Sequence, residues 1–204
     1  MLKLLLEQGI YPDWFGNLWA CINGHLEIMQ LLLDYNVAKL NTIESDYSIK
    51  HGNIDITRWL LEKGIKPSTH GANLAAENGY MEILEWLVDD LEILPDVYGA
   101  NGACFNGHIE IIKWMEKKLK ILPNTTGANL AVKSKELEIL SWLELRKILP
   151  DRIGANWAAQ YGYLDILQWL KKYNIYPDQV GIDLACENHH NNVVSWILSN
   201  HKEN

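Results

Sequence analysis

All six prolines of this 204-residue chain stand in one register. Pro12, Pro67, Pro95, Pro123, Pro150 and Pro177 share a single position of a repeat 27 or 28 residues long, which Leu40 fills in one unit. Six of the nine tryptophans, Trp59, Trp86, Trp114, Trp142, Trp169 and Trp196, share a second position, continued toward the N-terminus by Leu31 and Leu4. Seven residues before these stand Gly24, Gly52, Gly79, Gly107, Lys135, Gly162 and His189. Eight residues earlier again come Gly16, Glu44, Gly71, Gly99, Gly127, Gly154 and Gly181. A period held over a whole chain specifies an array whose units bury their apolar faces only against neighbours. The expected organisation is one array over 1–204, with a half repeat at 1–12. Full repeats follow at 13–39, 40–66, 67–94, 95–122, 123–149, 150–176 and 177–204. The half repeat also accounts for the apolar start, since LLLEQGIYP from Leu4 aligns with WLLEKGIKP from Trp59, so no signal peptide is expected.

Within a unit the signals predict two helices. Pro95 is followed by Asp96, and the same slot holds Asp13, Asn41, Ser68, Asn124, Asp151 and Asp178, all side-chain acceptors that cap free N–H groups. The first helix should end before Gly107, because the residue after a helix often needs the left-handed backbone that glycine adopts at no steric cost. A second helix follows, with Glu27, Asp55, Glu82, Glu110, Glu138 or Asp165 at its positive end. Ala20, Ala75, Ala103, Ala131, Ala158 and Ala185, with Ser48 in one unit, predict close packing between first helices. The tryptophans of the second helices are expected to fill the wider gap between helix pairs. Short helices of this kind are marginal alone, so stacking must stabilise them. The predicted fold is an all-α solenoid of stacked helix-turn-helix repeats.

Composition narrows the function classes. There are 26 acidic and 18 basic residues, a net charge of −8, which argues against nucleic acid because phosphate binding is built on surplus Lys and Arg. The first half, 1–102, carries 15 acidic and 6 basic residues, and the second carries 11 and 12. Residues 113–152 hold nine Lys or Arg against five acids, a stripe that is either a solvated face or a dock for an acidic partner. No apolar run approaches the roughly 18 residues of a membrane span. Cys21, Cys104 and Cys186 share one position, which predicts packing roles and free thiols in a reducing, intracellular setting. The seven histidines lack zinc-ligand spacing, and no phosphate-binding or zinc-protease motif occurs. Residues repeated along a rod do not converge on one pocket, so neither enzyme, metal nor cofactor is expected.

GANLAAENGYMEILEWL, from Gly71 to Leu87, and ACFNGHIEIIKWM, from Ala103 to Met115, resemble the core of an ankyrin repeat. The family's Thr-Pro-Leu-His turn is missing, and the period falls short of the usual 33 or so residues. The resemblance therefore implies an ankyrin-like solenoid with short loops in place of β-hairpin fingers. This short type, rich in Trp and Gly, resembles repeat proteins of large DNA viruses of amoebae. It implies a non-enzymatic module that binds a partner protein, such as a host protein in the cytoplasm of an infected cell, on a concave face. A structural spacer, or a piece of a longer ankyrin-repeat protein with a separate effector domain, is the alternative.

The resemblance places contacts on the loops and on the first helices just before the glycine. Here those positions give Trp14, Phe15, Asn23, His51, His70, Asn78, Tyr98, Phe105, Asn106, Gln160 and Tyr161 as protein-binding residues. Trp14, Phe15, Tyr98, Phe105 and Tyr161 are the expected anchors, since aromatics are enriched among energetic hot spots. Tyr98 and Tyr161 have an equally good reading as packing on adjacent loops. Three units break the pattern, at Glu44, Lys135 and His189, and softer joints are expected there. The apolar face of Leu2, Leu4, Leu5 and Leu6 has no first helix before it, which raises self-association through that end.

Overall fold

The computed structural model describes residues 1–12, 14–37 and 40–200, apart from the side chain of Trp14. Its helices fall into two compact units, Met1–Gly99 and Ala100–Asn204. The first helices of the repeats are α2 (Trp14–Ile22), α4 (Thr42–Lys50), α6 (Thr69–Glu77), α8 (Val97–Phe105), α10 (Thr125–Lys133), α12 (Arg152–Gln160) and α14 (Gln179–Glu187). The second helices are α1 (Leu2–Glu7), α3 (Leu26–Asp34), α5 (Ile54–Glu62), α7 (Met81–Asp89), α9 (Ile109–Leu119), α11 (Leu137–Glu144), α13 (Leu164–Lys171) and α15 (Asn191–Asn200). No strand occurs among the described residues, so short turns stand where fingers would be.

Local chemistry sets both ends of the first helices from α4 onward. Asn41, Ser68, Asp96, Asn124, Asp151 and Asp178 each accept a hydrogen bond from the backbone N–H two residues on. Asp13, in the same slot, lies outside the described residues. After the first helices, Gly24, Gly52, Gly79, Gly107 and Gly162 are left-handed, and Lys135 and His189 take that conformation too, at φ 62° and 60°. A second left-handed series, which the sequence reading missed, closes the second helices: Gly9, Asn36, Gly64, Glu92, Lys120, Lys147 and Asn174. Its side chains vary, so no glycine rhythm announces it.

First helices stack on first helices, α2 on α4 and α4 on α6 in the first unit, α10 on α12 and α12 on α14 in the second. Small residues allow this. Ala75, Ala103, Ala131, Ala158 and Ala185 are fully buried, and Ser48 in α4 is compensated by hydrogen bonds to the Ser45 carbonyl and to Thr57 Oγ1. Leu60, Leu84, Leu87, Ile112, Met115, Leu143 and Leu170 fill the space beneath, each worth about 1.5–3 kcal/mol of burial. Cys21 and Cys104 are buried there, whereas Cys186, in the last first-helix of the chain, is exposed.

A polar clamp joins each first helix from α4 onward to the next. Asn129 Oδ1 accepts from Asp151 N at 2.9 Å, and Asn129 Nδ2 donates to Asp151 Oδ1 at 2.9 Å. Asn73 holds Asp96, Asn101 holds Asn124 and Asn156 holds Asp178 by the same pair of bonds. Asp46 does the same for Ser68 through Ser68 N and Oγ. The clamp occupies the space where a Cβ would stand on Gly71, Gly99, Gly127, Gly154 or Gly181, at 2.5–2.7 Å from the clamping oxygen. The glycine series of the first helices is thus a packing requirement. The α2/α4 joint lacks the clamp: Leu18 replaces the Asn, Glu44 replaces the Gly, and Glu44 instead accepts from Asn41 N at 2.8 Å. Asn53 ties that joint, donating to the Cys21 and Ile22 carbonyls at 2.6 and 3.0 Å.

The tryptophans of the second helices are not the continuous filling the sequence suggests. Trp59 and Trp142 are buried, but Trp86, Trp114, Trp169 and Trp196 are half-buried. Cations cover several rings: Arg58 lies 5.7 Å from Trp86, Lys63 5.8 Å from Trp59, Lys118 5.3 Å from Trp114 and Arg146 3.6 Å from Trp142. An indole is large and amphipathic, and the aliphatic core beneath leaves its outer edge to solvent and to these long side chains.

At the N-terminal helix only Leu6 is buried. Leu4 and Leu5 are exposed, and Leu2 is half-buried.

Candidate functional site

One set of the expected contact positions lies at the C-terminal ends of the first helices and in the turns after them. In the second unit they form a rim of rings and lysines. Phe105, at the end of α8, is 37% exposed. Lys133, at the end of α10, places Nζ 5.8 Å from the Phe105 ring and 5.1 Å from that of Trp157 in α12. Tyr161, 40% exposed, stacks on Tyr163 with centroids 5.8 Å apart. Lys135 lies 4.8 Å from the Tyr163 ring and 3.5 Å from Asp165. Residues one repeat apart meet here because stacked helices bring equivalent positions side by side. Trp157 and Lys133 were absent from the anchor set suggested by the sequence, because the lysine's reach between two rings depends on helix spacing.

The other positions divide by environment. In the first unit, Asn23 and Asn78 spend a side-chain donor on their own helices, bonding the Trp19 and Leu74 carbonyls at 2.8 Å. His51 is exposed as the residue after α4, and His70 is exposed in the first turn of α6. Phe15 is exposed in α2, and Tyr98, on the first turn of α8, is 75% exposed. Asn106 is exposed and Gln160 half-buried in the second unit. The Trp14 side chain lies outside the described residues.

The ionisable groups suit packing and surface roles. Burial pushes the Cys21 and Cys104 thiols up to about 12, so both are held as inert thiols. Arg146 grips Glu116 with two bonds of 2.8 and 2.7 Å while stacking on Trp142, and these bonds hold the Glu116 carboxyl below the usual range. Among the described residues no three His, Cys, Asp or Glu side chains are placed to hold a metal ion. No described helix is long and apolar enough to cross a membrane.

These features define an all-helical repeat solenoid. Residues 1–71 match the family model for ankyrin repeats (3 copies). No curated protein matches the chain. Among solved structures it is similar to the pentatricopeptide repeat protein PPR10 in complex with an 18-nt psaJ RNA element, at 15% identity and a TM-score of 0.51. That match covers 99% of this chain and 35% of the other. PPR10 from maize is matched with 12% identity, a TM-score of 0.44, and coverage of 92% and 31%. This chain therefore spans about a third of the length of those proteins, and at 15% identity the first likeness concerns the fold alone.

Proposed function

We propose that this chain is a non-enzymatic protein-interaction module that holds a partner protein on the rim at the ends of its first helices. Phe105, Lys133, Trp157 and Tyr161 centre the contact in the second unit. The observation that carries this reading is the contrast between a frame repeated with few exceptions and a rim position whose residue changes along the array, from Ile22 and Lys50 through Glu77, Phe105 and Lys133 to Gln160 and Glu187. Exposed aromatics at those positions are the residue types that dominate interface energetics. Ankyrin repeats generally serve protein interaction, and the match over 1–71 supports the same role here. The free thiols fit a partner met in a reducing compartment, such as a host protein in an infected cell.

Affinity capture with the intact chain beside a Phe105→Ala, Tyr161→Ala variant, both checked for equal thermal stability, tests the reading. A partner retained by the intact chain and lost by the variant supports it. Equal capture by both moves the contact off this rim, and capture by neither favours a spacer role.

A further inference from the structure

The second unit also has a groove between α11 and α13. It encloses about 250 Å³ and is lined by Leu137, Leu140, Ser141, Asp165, Ile166 and Trp169. Leu137, at its mouth, is 50% exposed, while Leu140 and Ile166 form a buried floor. The repeat itself shows why the groove is open. Trp86 is covered by Arg58, the residue 28 positions before it. Trp59, Trp114 and Trp142 are covered by Lys63, Lys118 and Arg146, four positions after each ring. For Trp169 both positions lack a cation: Ser141 stands 28 residues before it and Tyr173 four after.

Ser141 is too short to reach the ring, and its hydroxyl donates to the Leu137 carbonyl at 2.9 Å. Tyr173 meets Trp169 edge-on, with centroids 5.7 Å apart. Two carboxylates flank the uncovered indole. Asp165 lines the groove, and its link to Lys135 is a single 3.5 Å contact between half-exposed chains, which is weak by nature. Glu144 accepts hydrogen bonds from the Tyr173 hydroxyl and the Trp169 side chain.

We infer that this groove is a docking site for an arginine side chain of a partner polypeptide. The guanidinium would lie over Trp169 and pair with Asp165, and its methylenes would cover Leu137, Leu140 and Ile166. A planar, weakly hydrated cation with an apolar stem satisfies the ring, the carboxylate and the apolar walls together, and it restores from outside the cover that Arg58 gives Trp86 from within. A purely apolar occupant would leave Asp165 unused. This groove lies between second helices and meets the rim of the proposed function at the Lys135–Asp165 contact, but its lining includes none of Phe105, Lys133, Trp157 or Tyr161, so different variants test the two readings.

The test follows the Trp169 indole N–H resonance in the full-length protein during titration with acetyl-Gly-Arg-Gly-amide and with its citrulline twin, which keeps the shape and loses the charge. The arginine peptide should give a saturable shift, and the citrulline peptide should bind at least about tenfold more weakly. Asp165→Asn should weaken the arginine peptide. Ser141→Arg, which copies the residue found at the same position in α5, should abolish the shift while the protein stays folded by circular dichroism. Equal binding of the two peptides would replace the cation with an apolar occupant and overturn the inference. Undiminished binding to Ser141→Arg, or no shift with either peptide, would also overturn it.

Discussion

Asn129 Oδ1 lies 2.6 Å from the point where a Cβ on Gly154 would stand, and it accepts a hydrogen bond from Gly154 N at 3.1 Å. One residue's side chain thus dictates the absence of another's, one repeat away. Gly154→Ala must push aside both Asn129 and Pro150, whose Cβ stands 2.8 Å from the same point. A loss of about 1–3 kcal/mol is expected in denaturant unfolding. In an Asn129→Ala background the same substitution should cost less, because one of the two obstructions has gone; equal costs would disprove the coupling.

Lys147 sits left-handed at φ 58°. Lys147→Gly removes the steric cost of a Cβ there and should stabilise the second unit by about 0.5–1 kcal/mol, despite the greater freedom glycine has in the unfolded chain. A lower unfolding midpoint would refute this.

Ser45 Oγ is fully buried and has no hydrogen-bond partner among the described residues, while Ala72, Ala100, Ala128 and Ala155 fill the same repeat position. Ser45→Ala should raise stability by about 1 kcal/mol, since the unmet cost of burying a hydroxyl disappears. Calorimetry would detect the shift.

Acid should loosen the Glu116–Arg146 clasp. The hydrogen bond from Arg146 holds the Glu116 carboxyl below its usual range. A depressed carboxyl contributes stability that is present above its unfolded pKa, about 4.3, and is lost as pH falls through the lower folded value. Glu116→Gln should therefore be less stable than the native chain at pH 7, and the gap should close toward pH 2. A gap independent of pH would rule this out.

Thiol accessibility separates the three cysteines. Cys186 is exposed, whereas Cys21 and Cys104 are buried with their thiols pushed up to about 12. A chromogenic disulfide reagent at pH 8 should titrate one thiol in the native protein and all three in denaturant. Rapid reaction of all three without denaturant would contradict the buried packing.

The period, the helix caps and the left-handed Gly24, Gly52, Gly79, Gly107 and Gly162 were legible in the sequence, because each depends on residues a few positions apart. So was the exposure of Phe105, which follows from its place in the repeat, whereas Tyr161 had an equally good reading as packing and in the structure is both 40% exposed and stacked on Tyr163. The Asn129–Gly154 couple was not, since it exists only when two repeats stack and an amide oxygen enters a neighbour's helix. The second left-handed series was hidden for a different reason: Glu92, Lys120 and Lys147 take, at the backbone-bonded ends of their helices, a conformation that glycine would adopt freely, so residue type does not mark it. The tryptophans showed the limit most clearly. Their spacing marked the repeat, but whether a ring is buried, covered by a cation or left open as at Trp169 depends on the side chains that stacking brings against it. Local sequence determined which segments become helices and where they stop. The distances between those helices, which fix clamps, rims and grooves, came only from packing.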